Sequence, residues 1–272
     1  MSKTGLNRDT SDKFYTKDNI ALYFFNKWKE ILEPDTEDSL VIEPSAGGGS
    51  FFKHIFKEYQ VIGYDIEPSY NGIIKADFLN EDLPDTEDLH FIGNPPFGRQ
   101  SSLAKKFIKK CAINGESISF ILPKSFKKDS FKKVFPLEFH LIYEEDVPEN
   151  GFVIDGKDYN VECVFQIWKR METKRDIIKN ETPYKFSFVK KDEDPHFSLR
   201  RVGVYAGKIS TETENKSSES HCFIKLDEDI DQDTFEEEFL KLEFTHNNTV
   251  GPKSISKQEF IKKINIIISS IE

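Results

Sequence analysis

The first 170 residues predict an α/β fold, a mostly parallel sheet covered by helices on both sides, followed by a smaller unit. Three observations predict it. Short apolar runs alternate with stretches whose apolar residues recur at helical spacing, the pattern of strands joined by helical crossovers. An Asp-Gly pair inside GFVIDGKDYNVECVFQIWKR (151–170) marks an antiparallel hairpin that closes the sheet. Beyond residue 170 the texture changes to a charged connector and polar, low-complexity sequence.

Taken in order, KDNIALYFFNKWKEIL (17–32) places Ile20, Phe24, Trp28 and Ile31 on one helical face, and LVIE (40–43) is a strand. FFKHIFKEY (51–59) is a helix with Phe52, Ile55, Phe56 and Tyr59 on one side. VIGYD (61–65) is the second strand, GIIKAD (72–77) a shorter third and LHFIGN (89–94) the fourth. LAKKFIKKCAI (103–113) carries a stripe of Leu103, Phe107, Ile108 and Cys111. SISFILP (117–123) is a strand, DSFKKVF (129–135) a short helix and LEFHLIYE (137–144) another strand. PDTED occurs at 34–38 and again at 84–88, each time before an apolar strand, as a shared loop solution rather than a duplication.

Domain boundaries fall at 1–170 and 171–272. In the second unit FSLRRVGVYAGK (197–208) reads as a strand with glycine-marked turns, and STETENKSSES (210–220) as a polar loop. Ser256 and Glu259 form an S-x-x-E capping box for a helix carrying Phe260, Ile261, Ile264 and Ile267. This small α+β unit is read as a substrate-recognition element or as a buttress for the sheet.

The 272 residues, 37% of them apolar and 25 of them Phe, suffice for a full core. No apolar run approaches a membrane span, and MSKTGLNRDTSDK (1–13) is too polar for a signal peptide. A soluble intracellular chain is therefore expected, cytoplasmic or, in a eukaryote, nuclear, with no membrane partner. Cys111, Cys163 and Cys222 lie far apart without a CxxC pair and are read as reduced thiols, and no metal site is expected from them or from the scattered histidines. The net charge of −10 argues mildly against a nucleic-acid partner. Its distribution argues the other way: from Arg99 to Lys133 there are ten Lys/Arg and two acids, Glu116 and Asp129. Most such runs are solvated helix faces. The functional alternative is a phosphate-contacting rim of Arg99, Lys105, Lys124, Lys127 and Lys128, with Arg200 and Arg201 as a second basic point in the C-terminal unit.

The chemistry-bearing residues sit at strand ends. The first strand runs into Glu43-Pro44-Ser45-Ala46-Gly47-Gly48-Gly49, a loop that can turn tightly and approach a ligand closely, ahead of a helix N-terminus suited to an anion. It lacks the Lys-Ser/Thr of a triphosphate loop. Asp65, at the end of the second strand, is placed to accept two hydrogen bonds from a ribose diol; an ordinary surface Asp is the plainer alternative. Asp77-Phe78 after the third strand suits an adenine ring, or equally a helix cap beside a core Phe. The fourth strand ends in Asn94-Pro95-Pro96-Phe97, where the prolines stop the ladder and hold a stiff elbow.

In this order and at this spacing, EPSAGGG (43–49), GYDIEP (63–68), ADFL (76–79) and GNPPFG (93–98) resemble the motifs of class I S-adenosylmethionine-dependent methyltransferases. More narrowly they look like the amino-methyltransferase branch, whose fourth strand ends in Asn/Asp-Pro-Pro-aromatic. KFYTKDNIA (13–21) is similar to the N-terminal cofactor motif of the gamma-type N(6)-adenine DNA methyltransferases, with Lys17 where that family often has proline. The resemblance covers residues 13–170. It implies a Rossmann-like, doubly wound, seven-stranded sheet and S-adenosyl-L-methionine as cofactor. Glu43, Gly47 and Gly49, with Pro44 and Ser45 in the same loop, would hold the methionine end. Asp65 would take the ribose hydroxyls and Asp77 the adenine amine, with Ile66 and Phe78 as apolar walls. Phe14, Tyr15 and Thr16 would close over the carboxylate.

The same resemblance gives the elbow a task. The Asn94 side-chain oxygen and the Pro95 carbonyl would each accept an N–H of a planar amine, Pro96 would stiffen the turn, and Phe97 would stack on the flat substrate. Adenine in DNA, flipped from its stack, is the substrate the N-terminal motif favours. The alternatives are adenine or guanine amines in RNA, the glutamine amide of a protein, or an inactive structural subunit. No recognition domain fits between the glycine loop and the elbow, so a protein partner that supplies target recognition is an expected possibility.

Overall fold

A computed structural model describes residues 14–244 and 253–272. The polar N-terminal stretch read above against a signal peptide, and Lys13 of the N-terminal motif, lie outside them. The described residues divide into two compact units between Ile177 and Ile178.

The first unit is built on a mixed seven-stranded sheet. Its chain runs β1 (Tyr15–Thr16), α1 (Asp18–Leu32), β2 (Leu40–Glu43), α2 (Phe52–Ile55), β3 (Gln60–Asp65), β4 (Ile74–Lys75), β5 (Leu89–Gly93), α3 (Ser102–Cys111), β6 (Ser117–Pro123), α4 (Asp129–Lys132) and β7 (Phe139–Asp146). It ends with β8 (Phe152–Ile154), β9 (Lys157–Tyr159) and β10 (Cys163–Arg170). The sheet order is β4-β3-β2-β5-β6-β10-β7. β2, β3, β4, β5 and β6 are parallel, and β10 is antiparallel to both of its neighbours. The α/β, Rossmann-like, doubly wound sheet expected from the sequence is thus the observed fold.

Both faces of the sheet are covered, and β5 shows why. Successive side chains of a strand point to opposite faces. His90 meets Trp28 of α1, with ring centroids 5.6 Å apart. Phe91 on the other face meets Phe78 at 6.0 Å, and Phe107 of α3 stacks on that same Phe78 at 5.5 Å. Helix α1 buries Ile20, Ala21, Phe24, Phe25 and Trp28. It stops where Glu33 turns left-handed before Pro34, which disfavours helical geometry in the residue ahead of it.

The structure departs from the sequence reading in three elements. The helix expected over 51–59 is α-helical only at Phe52–Ile55 and then tightens into i−3 bonding, as in Lys57 N–H to His54 O and Glu58 N–H to Ile55 O. Gln60 already belongs to β3, so no loop residues are left to make the turn. The third strand is cut to two paired residues on the sheet edge. The hairpin read over 151–170 covers only β8 and β9, turning at Asp155 and Gly156 with φ of 49° and 74°. This hairpin pairs with β1 in a separate three-stranded sheet, while β10 inserts between β6 and β7. The eight consecutive residues of β10, six of them buried, gain partners on both edges there, which a hairpin with β8 alone would not give.

The second unit is a four-stranded antiparallel sheet with two helices. Its elements are β11 (Phe186–Val189), β12 (Phe197–Arg200), β13 (Ile209–Ser210), β14 (His221–Leu226), α5 (Gln232–Phe239) and α6 (Lys257–Ile271), in sheet order β11-β14-β12-β13. Phe197 packs on Phe235 and Phe239 of α5 at 5.4 and 5.1 Å. The capping box of α6 is present: Glu259 N–H donates to Ser256 Oγ at 3.2 Å and Ser256 N–H to Glu259 Oε2 at 2.8 Å.

Phe165 of β10 is fully buried and stacks on Phe24 at 4.4 Å, tying α1 to the strand that closes the sheet. Phe165→Ala is expected to destabilise the first unit by about 3–5 kcal/mol. Urea unfolding followed by tryptophan fluorescence reads that unit alone, because Trp28 and Trp168 both lie in it.

Candidate functional site

The sheet order creates the site. From the neighbouring pair β2 and β5 the chain departs in opposite directions, towards β3 on one side and β6 on the other. The loops at their carboxyl ends therefore part and leave a crevice. It is a cavity of about 340 Å³. The loop after β2 contributes Glu43, Pro44, Ser45 and Gly47, and the end of β3 contributes Asp65 and Ile66. Asp77 and Phe78 follow β4, and Asn94, Pro95 and Pro96 follow β5. Phe14, Tyr15 and Thr16 supply a further wall. Residues from five separated parts of the sequence thus meet at one opening.

Hydrogen bonds lock this wall to the two loops. Asn94 Nδ2 donates to Thr16 Oγ1 at 3.2 Å, Ser50 Oγ donates to the Thr16 carbonyl at 2.7 Å, and Ser45 Oγ donates to the Asn94 carbonyl at 3.0 Å. Thr16 is in turn registered against Phe152 by the β1–β8 pairing. Phe14 packs edge-on against Phe97 and Phe152 at 5.2 and 5.4 Å. With Nδ2 engaged, the Asn94 side chain keeps its Oδ1 as an acceptor, and that oxygen is buried without a partner.

A second orphaned acceptor lines the same cavity. Glu43 is 2% exposed, and its Oε2 has no partner. Burial, aided by the Asp65 charge and opposed in part by the Phe52 backbone N–H, pushes its carboxyl pKa well above the ordinary range. Two unsatisfied buried oxygens cost stability unless a ligand brings N–H donors to them. Asp65 is already oriented: Oδ2 accepts from Gly47 N–H and Oδ1 from Glu67 N–H, each at 2.8 Å. Each carboxylate oxygen retains a lone pair for a diol. Asp77 caps the short 3₁₀ turn Phe78–Asn80, accepting from Leu79 N–H at 3.1 Å and Asn80 Nδ2 at 3.0 Å. Phe78 is 1% exposed in the core. The plainer alternative for this pair is the local geometry observed, although both residues also reach the cavity wall.

Two of the residues expected at the site do not line the cavity. Gly49 lies outside the cavity lining; a Cβ there would come within 2.6 Å of the Tyr70 ring. The corresponding neighbour of Gly47, at φ +47°, is the Tyr15 ring at 2.9 Å. Positive φ and the rings that lie on the turn both require glycine at these two positions. Phe97 is buried at 6% exposure against Phe14 and does not line the cavity, so its ring is a packing partner instead of an open stacking surface.

Other lining residues were not found from the sequence: Ser50, Phe51, Glu67, Leu79, Leu103 and Phe107. Ser50 had a signal, since it directly follows the glycines. Phe107 showed only a helical apolar stripe, which identifies a core face without revealing that its end reaches an opening.

The basic rim is also altered. Lys124 pairs with Glu162 at 3.1 Å and Asp146 at 3.3 Å, and Lys127 pairs with Asp146 at 2.5 Å. Acids distant in sequence pair with these two lysines. The Lys105 ammonium lies over the Phe131 ring at 4.4 Å. Lys128 is half-buried, and Arg99 is exposed next to the elbow. Arg200 and Arg201 belong to the second unit.

No protein-family model matches the sequence, and no curated protein matches it. Solved structures of similar fold include a candidate RNA methyltransferase from Pyrococcus horikoshii, 14% identical over 59% of this chain and 87% of that one, with a TM-score of 0.44. A modification subunit of a candidate type I restriction enzyme from Vibrio vulnificus is 16% identical over 60% of this chain and 46% of that one, with a TM-score of 0.45. TrmN from Thermus thermophilus is 13% identical over 56% and 49%, with a TM-score of 0.41. Likeness of this extent bears on no substrate or activity.

Glu43 gives the site a pH signature. Its carboxyl pKa is raised on folding above the ordinary 4.5, so the folded chain holds the proton more tightly than the unfolded one. The stabilising contribution of the neutral carboxyl is complete below that ordinary value and is lost as pH rises through the folded value. Glu43→Gln, neutral at every pH, is therefore expected to melt at least about 2 °C higher than the parent at neutral pH. The difference should close in acid, and melting curves across pH measure it.

Proposed function

We propose that this chain is an S-adenosylmethionine-dependent methyltransferase acting on the exocyclic amino group of adenine in DNA. The observation that carries the reading is that Glu43 and Asn94, each holding a buried oxygen without a partner, line one cavity at the carboxyl ends of β2 and β5. Asn94 Oδ1 asks for an N–H donor and the Glu43 carboxyl for a polar partner, and they belong to the two motifs that the resemblance pairs with the cofactor and the substrate amine.

The cofactor fits the residues present. Glu43 would accept from its amino group, Asp65 from its ribose hydroxyls, and Ile66 and Phe78 would flank its base. When bound, S-adenosylmethionine supplies an electrophilic methyl group on a sulfonium. The chain's own work is on the acceptor nitrogen. An aromatic amine is a weak nucleophile because its lone pair is delocalised into the ring. Asn94 Oδ1, left without a partner while Nδ2 bonds Thr16, would take one N–H and favour a tetrahedral nitrogen with a localised lone pair. The Pro95 carbonyl is assigned the second N–H, and the fixed φ of Pro95 and Pro96 keeps both acceptors in place before the substrate arrives. The proton on the methylated nitrogen then leaves to solvent without a dedicated base. A duplex base must be extruded to enter an opening of this size.

DNA over RNA is supported by the Phe14-Tyr15-Thr16 segment ahead of the glycine loop, which resembles the gamma-type arrangement. A protein partner that supplies target recognition is part of the proposal, as are the roles given to Arg99 and Lys105 beside the elbow.

Calorimetric titration with S-adenosylmethionine, followed by transfer of labelled methyl groups to DNA, RNA and protein fractions, tests the reading. The expected outcome is saturable binding with label in DNA, recovered as N(6)-methyladenine by mass spectrometry of the nucleosides. Label confined to RNA or protein would move the substrate, and absence of cofactor binding would leave a structural subunit. Asn94→Ala is expected to lower turnover by at least ~10²-fold while leaving cofactor affinity nearly unchanged. Retained turnover would remove Asn94 from the reaction.

A further inference from the structure

The second unit carries more acid than base, 18 Asp/Glu against 14 Lys/Arg over 178–272. Its charges are nevertheless segregated. Nine of the acids fall between Asp227 and Glu243, on and around α5. The bases collect around β12 and β14, at two adjoining hollows. One, of about 380 Å³, is lined by Arg200, Lys208, Lys216 and Tyr205. The other, of about 720 Å³, is lined by Lys190, Lys191, Arg201 and Lys257. His221, which lies opposite Arg200 in the β12–β14 register, lines both.

Like charges gathered around an empty hollow repel one another, and a bound anion removes that cost. Few acids in the unit answer them. Glu212 pairs with Lys216 at 2.7 Å, and Asp192 lines the larger hollow. The Arg201 Nε is buried with no acceptor, an unmet donor at the wall of the larger hollow. Burial pushes the His221 pKa down, opposed by its hydrogen bond to the Ser217 carbonyl and aided by the Arg200 and Lys216 charges.

We propose that the C-terminal unit binds a single strand of nucleic acid, with successive backbone phosphates seated in the two basic hollows that meet at His221. A lone phosphate would need one hollow; two that share a residue suit a chain of regularly repeated anions. Aromatic rings accompany the cations. Tyr205 is 64% exposed beside the Arg200 guanidinium, at 5.8 Å, and Phe188 lies under the Lys257 ammonium at 4.6 Å. Rings interleaved with cations are what base stacking along a phosphate track requires, and they favour a nucleic acid over a phosphorylated peptide. The hydroxyls of Ser210 and Ser217, each accepting a backbone N–H, keep an O–H to donate as neutral donors in the smaller hollow. The proposal deepens the methyltransferase reading, whose substrate is the same chemical class, but its own geometry lies wholly within the second unit.

The test uses the full chain and a fluorescent single-stranded oligonucleotide, as DNA and as RNA of one sequence. Lys190→Glu with Lys208→Glu reverses one exposed charge in each hollow, and Lys179→Glu, an exposed lysine lining neither, is the control. The double variant is expected to bind at least ~10-fold more weakly, and its log K against log salt slope to shrink by about 1.4, two single-strand phosphate contacts. The control should bind as the parent does. Unchanged binding by the double variant, an equal loss in the control, or a phosphoserine peptide binding as tightly as the oligonucleotide would each overturn the proposal. Titration of the same proteins with S-adenosylmethionine separates the two readings. Cofactor binding without the strand difference sinks only this proposal, and the strand difference without cofactor binding sinks only the methyltransferase reading.

Discussion

The hydrogen bond from Asn94 Nδ2 to Thr16 Oγ1 is the constraint on which the site depends. It holds the Asn94 amide against Thr16, and it fastens a two-residue strand near the N-terminal end of the described chain to the loop after β5. Thr16 can hold that position only because it is itself held. Its carbonyl takes the Ser50 hydroxyl, and its backbone is registered to Phe152 of a hairpin that exists largely to receive it. Phe14, between Phe97 and Phe152, adds the apolar contact that keeps the strand down. The glycine loop, the proline elbow and the N-terminal strand therefore form one mechanically linked unit.

The site is also locally costly. A carboxyl buried like Glu43 is stabilised only as the neutral acid, and the buried Asn94 Oδ1 lacks the hydrogen bond a folded interior normally supplies. Non-glycine residues Gln100 and Ser101 turn left-handed just after the elbow, at φ of 54° and 60°, before α3 begins. Departures of this kind at an opening are what a preorganised binding site tolerates. Under the proposed reading, ligand binding returns part of that cost.

Charge follows a different logic in the two units. In the first, part of the lysine-rich run after the elbow is answered within the fold, because β7 and the approach to β10 bring Asp146 and Glu162 to Lys124 and Lys127. In the second, acids and bases separate, and a basic concave surface survives in a unit with excess acid. A count of lysines along the sequence pointed to the first region; the positions of the opposing carboxylates show which of those lysines are paired, and that a second basic surface lies in the other unit.

The sequence by itself determined what depends on neighbours in the chain. The 3.6-residue spacing in α1, the apolar runs of β2 and β6, the proline stop after β5, the Asp-Gly turn and the Ser256–Glu259 box are local preferences, and each is found where local chemistry puts it. The ordered motifs also named most of the residues lining the cavity, because loops at the carboxyl ends of consecutive parallel strands must converge. The tertiary structure alone decided what depends on distant partners: that β10 enters between β6 and β7, that the β8–β9 hairpin clasps β1, that Phe97 is buried, that Tyr70 occupies the space over Gly49, and that Leu103 and Phe107 reach the opening. Strand partners, ring contacts and charge neutralisation are set by residues tens of positions away, and a one-dimensional pattern carries no information about which of them will arrive.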